Sequence, residues 1–85
     1  MNPEILQMRN ELALLRRKAS TQRIDAAGFA LLIRNELPVF GDDPILRTNT
    51  TNVLEFAKRL HELKTDLMKS LDGIKALQEA LGENE

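Results

Sequence analysis

His61 is the first residue to consider for chemistry, because it is the only histidine in the chain. A helical zinc site of the protease type needs a second histidine four residues further on, and Thr65 occupies that position. The chain also contains no cysteine that could supply a thiolate ligand. The pattern predicts a solvated surface histidine and no metal site.

A second possible site is a carboxylate cluster in the second half of the chain. Its candidate members are Glu55, Glu62, Asp66 and Asp72. Metal sites in helical bundles aim paired acids inward, in Glu-x-x-His or Glu-x-x-Glu units. Here basic residues stand between the acids at spacings of three and four, which is typical of an exposed helix face with weak ion pairs. With no Gly-rich phosphate loop and no nucleophile motif, the sequence predicts no catalytic residues, no cofactor and no small-molecule substrate.

Basic residues are densest in the first half of the chain. The candidate nucleic-acid contacts are Arg9, Arg16, Arg17, Lys18 and Arg23. Three of them are seven residues apart, so on a helix they form a line along one edge that could follow phosphates. However, no aromatic residue stands among them to stack on bases, and the first half is close to neutral. Nucleic-acid binding is therefore the alternative function, and a rim of salt bridges against a partner helix is favoured over it.

The composition indicates which elements must position these residues. Of the 85 residues, 28 are Leu, Ile, Val, Met or Phe, and 15 of these are Leu, whereas Trp and Tyr are absent. Such a chain favours helices over sheets. At this length it forms one domain at most.

Charge and cysteine content bear on location and partners. A net charge of −1 gives little long-range attraction for nucleic acid or an anionic membrane. The absence of cysteine fits a reducing cytoplasm. Acidic residues precede the first apolar stretch, unlike in a signal peptide, and the longest apolar run is too short to span a bilayer. We expect a cytoplasmic protein without a membrane partner.

Helix boundaries are indicated by local signals. Asn2-Pro3 and Asp43-Pro44 each place a capping side chain before a proline at the first helical position. These signals predict a helix over about 3–36, a loop over 37–43, a helix over about 44–82 with Gly82 as its C-cap, and a frayed tail over 83–85. The second helix could instead restart at Asn52, which begins a capping box.

Each predicted helix carries an apolar stripe with a spacing of three and four residues. The first stripe, interrupted only by Gln22, consists of Ile5, Met8, Leu12, Leu15, Ala19, Ala26, Phe29 and Ile33. The second consists of Val53, Phe56, Leu60, Leu63, Leu67, Leu71, Ile74, Leu77 and Leu81. Ser20 and Thr21 are good N-cap residues that could divide the first helix and give a three-helix bundle. The continuous register favours one helix, and with it an all-α antiparallel hairpin.

Further apolar residues flank both stripes, and a lone hairpin buries only one stripe per helix. A wide apolar arc is typical of helices with two neighbours, as in a four-helix bundle. The predicted partner-binding residues are Leu6, Ala13, Ala27, Leu31, Leu54, Met68 and the loop residue Phe40. Phe40, together with Val39, either caps the bundle end or docks on a partner. The sequence thus predicts a non-catalytic protein–protein interaction or assembly module that binds itself, as a homodimer forming a four-helix bundle, or another helical protein.

Overall fold

The computed structural model describes residues 2–37 and 43–82. This part of the chain forms three helices, α1 (Pro3–Glu36), α2 (Pro44–Arg47) and α3 (Thr50–Leu81). Helices make up 92% of these residues and no strand occurs among them, which confirms the all-helical prediction. None of these helices is long and apolar enough to cross a bilayer.

Helix α1 runs without a break through Ser20 and Thr21, and this removes the three-helix alternative. Its N-cap is the predicted one, because Asn2 Oδ1 accepts a hydrogen bond of 2.9 Å from the backbone N–H of Glu4. The helix ends at Glu36, and its C-cap Leu37 is extended, as expected of a residue before proline. The continuous stripe outweighs two residues that favour caps, because a helix break would expose the apolar residues on both sides of it.

The second half differs from the prediction of one helix over 44–82. Thr48 is extended, so the chain leaves α2 there and re-enters a helix at Thr50. Asn49 caps α3, its Oδ1 accepting from the backbone N–H of Asn52 at 3.0 Å. The restart predicted at Asn52 is therefore wrong, because the backbone N–H of Asn52 donates to the cap residue Asn49, which places Asn52 inside the helix.

Two other terminal signals have different outcomes. Asp43 lies at the N-cap position of α2 but adopts the left-handed conformation, with φ 49°, and its side chain makes no capping bond. Its predicted capping role is therefore wrong. Gly82 is the C-cap of α3, with φ 72°, and its N–H bonds the carbonyls of Gln78 and Glu79, as predicted. Of the predicted loop, only Leu37 and Asp43 lie in the described part, and Val39 and Phe40 lie outside it, as does the tail over 83–85.

The core is the line of contact between α1 and α3. From one end to the other, the contacts join Leu15 to Gly73, Gln22 to Ser70, Phe29 to Phe56, and Glu36 to Asn52. Residue numbers rise along α1 as they fall along α3, which is the order of antiparallel helices. The ring centroids of Phe29 and Phe56 are 6.1 Å apart at a tilt of 49°, a favourable aromatic geometry.

We call the residues that face the other helix at alternating spacings of three and four the seam. On α1 the seam consists of Met8, Leu12, Leu15, Ala19, Gln22, Ala26, Phe29, Ile33 and Glu36. On α3 it consists of Val53, Phe56, Leu60, Leu63, Leu67, Ser70, Ile74, Leu77 and Leu81. Every one is buried or half-buried, and the spacing alternates between three and four throughout, as in a coiled coil.

Two polar residues in the seam correct the predicted stripes. Gln22 does not interrupt the first stripe but continues it, and Ser70 takes the place that the prediction assigned to Leu71, which is exposed. The Ser70 hydroxyl lies 2.8 Å from Gln22 Oε1 and 3.2 Å from the carbonyl of Asp66. Hydropathy alone favours Leu71, whereas the alternating spacing after Leu67 requires position 70.

The molecule is elongated, with extents of 67 × 22 × 14 Å. The smallest extent is little more than the diameter of one helix with its side chains, about 10–12 Å. Two helices side by side therefore form a single layer, which covers the seam and leaves two broad faces open.

Candidate functional site

The seam determines which side chains share a face. Successive helix residues are rotated by about 100° in one sense, so a residue directly after a seam residue lies on one side of its helix. A residue directly before a seam residue lies on the opposite side. Because the contacts between α1 and α3 run in antiparallel order, the "after" sides of the two helices fall on the same broad face.

The first broad face, which we call the basic face, carries six cations and no carboxylate among the described residues. Its cations are Arg9, Arg16, Arg23 and Arg34 on α1 and Lys64 and Lys75 on α3. All six are exposed, and none forms an ion pair with a described residue. Between them lie small or apolar side chains, including Ala13, Ala30, Ala57, Met68 and Leu71.

The opposite face, which we call the acidic face, has the reverse balance. Its acids are Glu4, Glu11, Asp25, Glu55, Glu62 and Asp66, and its cations are Lys18, Arg59 and Lys69. Arg59 and Glu62 form an exposed ion pair at 3.1 Å on this face. The fold therefore separates positive from negative side chains in a chain whose net charge is only −1.

Two grooves between the helices show that the faces are assembled as the seam implies. An open groove of about 470 Å³ on the basic face is lined by Ala26, Ala57, Leu60, His61, Lys64 and Leu67. On the acidic face, a groove of about 250 Å³ is lined by Leu15, Lys18, Asp66, Lys69 and Ser70. The lining of the first groove is almost wholly apolar, and Lys64 places a positive charge at its rim.

The predicted partner-binding residues gather on one surface. Ala13, Ala27, Leu54 and Met68 each follow a seam residue, and Leu6 follows Ile5, which continues the seam spacing three residues before Met8. All five therefore lie on the basic face, and all are exposed. Leu54 keeps 70% of its surface exposed and Met68 keeps 56%. Leu31 lies apart, on the outer edge of α1, and Phe40 is outside the described residues.

The candidate nucleic-acid contacts divide differently. Arg9, Arg16 and Arg23 follow seam residues and share the basic face. In the run of three basic residues, Arg17 points to the outer edge and Lys18 lies on the acidic face, in the groove that Asp66 also lines. The run that looked like the densest patch in the sequence is therefore spread around the helix.

A third surface was missed by the sequence reasoning. Ile24 and Leu32 are exposed beside Leu31 near the C-terminal end of α1. A groove of about 480 Å³ is lined there by Ile24, Asp25, Gly28, Phe29 and Leu32. We call Ile24, Leu31 and Leu32 the α1 patch. The sequence shows that these three apolar residues lie outside the first stripe. Their exposure follows only from the structure, in which the stripe faces α3.

Within residues 2–37 and 43–82, no three acidic or histidine side chains come close enough to hold a metal ion. His61 is exposed at the rim of the basic-face groove. No protein-family model, curated protein or solved structure matches the chain. The arrangement suits binding through apolar and charged surfaces.

Proposed function

We propose that the chain is a non-catalytic protein–protein interaction module. In this proposal α1 and α3 form an antiparallel hairpin, which pairs with a second copy to build a four-helix bundle and leaves its other face to a different helical protein. The proposal includes the cytoplasmic location expected from the cysteine-free sequence.

One observation carries the proposal, namely the excess of exposed surface. The chain exposes 6721 Å². A compact folded protein of 9.6 kDa exposes about 5,100 Å². The excess of about 1,600 Å² is roughly twice what one partner loses in an interface of standard size.

The composition of that surface supports the same function. Twelve large apolar residues are exposed in the described part, whereas only two, Leu12 and Leu63, are buried there. A single layer of two helices has no means of covering both broad faces. Surfaces of this kind mark interaction sites, because a soluble chain gains free energy by covering them.

The α1 patch is the surface we assign to self-association. Ile24 and Leu31 are seven residues apart on one edge of α1, and Leu32 adjoins Leu31. The neighbouring charges include both Asp25 and Arg17, so a twofold pairing does not oppose like charges alone. Two hairpins joined there would place four helices together and cover the outer edge of α1, which α3 leaves open.

Light scattering coupled to size-exclusion chromatography tests this proposal on the full chain at micromolar concentration. We expect a mass near twice 9.6 kDa. Leu31→Glu or Ile24→Glu should lower it to that of the monomer, because each buries a carboxylate in an apolar contact. Helix content measured by circular dichroism should be retained.

Thr65→Glu is the matched control, since Thr65 is exposed on α3 and outside the α1 patch. Its mass should equal that of the wild type. An unaltered mass in both α1 variants would show that the assigned surface is wrong. A wild-type monomer at every concentration would show that self-association is wrong.

A further inference from the structure

The basic face does not suit a closed dimer of the chain, because pairing it with the acidic face of a second copy would leave one face of each type open and extend the assembly. Pairing this face with itself in a twofold dimer would place the six cations of one copy against the six of the other, and within residues 2–37 and 43–82 no carboxylate lies between them. Like charges held in this way disfavour association. The face is therefore complementary to a surface that carries acids.

We propose that the basic face is the docking surface for an acidic amphipathic helix of a partner protein. This inference rests on the interaction function proposed above and names the partner chemistry of a surface that the dimer leaves free. The partner helix would have a stripe of Leu and Ala, flanked on both sides by Asp or Glu.

The spacing of the cations supports a helical partner. Arg9, Arg16 and Arg23 repeat every seven residues, which places them about 10.5 Å apart along α1. Acids repeating every seven residues on a partner helix have the same spacing, so each meets a cation. From Arg9 to Ala30 the face extends about 32 Å, the length of a helix of about 21 residues.

The floor of the face has the shape that a helix needs. The groove is lined by Ala26 and Ala57, whose short side chains allow another helix to approach, and by the apolar side chains of Leu60 and Leu67. Met68 and Leu71 extend the apolar surface along α3. The centre is thus small and apolar, and charge is placed at the rim.

Other anionic partners fit this surface less well. A nucleic acid would contact the cations but leave Leu54 and Met68 exposed, since phosphates do not cover apolar side chains. An anionic membrane is bound best by bulky apolar residues that insert between lipids, whereas alanines occupy the middle of this face. Both are outcomes that the experiment below separates from a helix.

The probe is a synthetic 21-residue helical peptide with a Leu and Ala stripe, flanking Glu residues every seven positions and one Trp. The chain itself contains neither Trp nor Tyr, so Trp fluorescence reports only the peptide. We expect saturable binding to the full chain that weakens as salt is added. A peptide with Lys in place of Glu, and a scrambled peptide of the same composition, should bind at least about tenfold more weakly.

Variants identify the face. Met68→Glu, and Arg16→Glu combined with Arg23→Glu, should each lower the affinity for the acidic peptide by about tenfold or more. Lys58→Glu is the control, because it reverses a positive charge that is exposed on the outer edge of α3, away from both the basic face and the α1 patch, and it should change the affinity by less than about twofold. Circular dichroism confirms that each variant remains helical.

Three results would overturn the inference: no binding of the acidic peptide at low salt, equal binding of the Lys peptide, or tighter binding of duplex DNA or phosphatidylserine vesicles. The two proposals fail separately. A dimer that binds no peptide overturns this inference alone, and a monomer that binds the acidic peptide overturns only the self-association.

Discussion

The buried hydroxyl of Ser70 provides a direct test of how α1 and α3 are aligned. Ser70 is 4% exposed and Gln22 is 8% exposed, and the two side chains meet at 2.8 Å in an otherwise apolar stretch of the seam. The change to make is Ser70→Ala. It removes the hydrogen-bonding partner of the Gln22 amide without creating a large cavity.

The expected cost follows from burial. A buried polar group left without a partner costs about 1–3 kcal/mol. Because Gln22 retains a little access to water, we expect a loss of about 1–2 kcal/mol in the free energy of unfolding. For a domain of this size that corresponds to a midpoint about 5–10 °C lower.

The reverse change should cost less. After Gln22→Leu, the single proton of the Ser70 hydroxyl turns to the carbonyl of Asp66, 3.2 Å away, and the new side chain adds apolar surface to the seam. We expect a change within about 0.5 kcal/mol of zero. The double variant should recover most of the stability lost in Ser70→Ala, giving a coupling of about 1–2 kcal/mol in the double-mutant cycle.

Thermal unfolding followed by circular dichroism, at one protein concentration, measures all four proteins. Thr65→Ala is the matched control, because Thr65 also donates to a carbonyl four residues earlier, that of His61 at 3.1 Å, but is exposed and has no buried amide beside it. If Ser70→Ala lowers the midpoint no more than Thr65→Ala, or less than Gln22→Leu does, the Gln22–Ser70 pair does not align the helices.

Two further predictions concern α3. Asn49→Ala should lower the free energy of unfolding by about 1 kcal/mol, because Asn49 supplies the N-cap of α3. Asn52→Ala should lower it by less, because the Asn52 side chain only donates to Glu36 Oε1 at 3.3 Å. Urea unfolding measures both variants, and the opposite order would show that Asn52 is the cap. Gly73→Ala should change stability by less than about 0.5 kcal/mol, because the gain in helix propensity, about 1 kcal/mol, is offset by a Cβ only 3.1 Å from Leu15 Cδ1. A midpoint raised by the full propensity gain would show that Leu15 moves aside without cost.

Much of the fold could be predicted because the signals for it are local. The cap at Asn2 and the C-cap at Gly82 depend on residues within one helical turn. The continuity of α1 follows from a stripe that never changes register. The break at Thr48 and Asn49 was harder to place, because several polar residues there are equally poor helix formers, and one hydrogen bond to Asn49 decided the boundary.

The membership of the seam was predicted less well. Hydropathy assigned Leu71 to the stripe and treated Gln22 as an interruption, whereas the structure pairs Gln22 with Ser70. The spacing of three and four includes both positions, but the hydropathy of a polar residue gives no sign that it will be buried, because its burial depends on a partner 48 residues away. Only the packing of α1 against α3 brings the Gln22 and Ser70 side chains within hydrogen-bonding distance.

The sequence by itself determined that the chain is helical, where α1 begins, and that each helix has apolar residues beyond one stripe. It also determined which side of each helix is basic, because that depends only on position relative to the stripe. The tertiary structure decided that the two basic sides lie together. With the contacts in antiparallel order, the residues that follow the seam on α1 and α3 fall on one face, whereas parallel helices would have set Arg16 and Arg23 beside the acidic side of α3. The direction of packing therefore divides a nearly neutral chain into one basic and one acidic face.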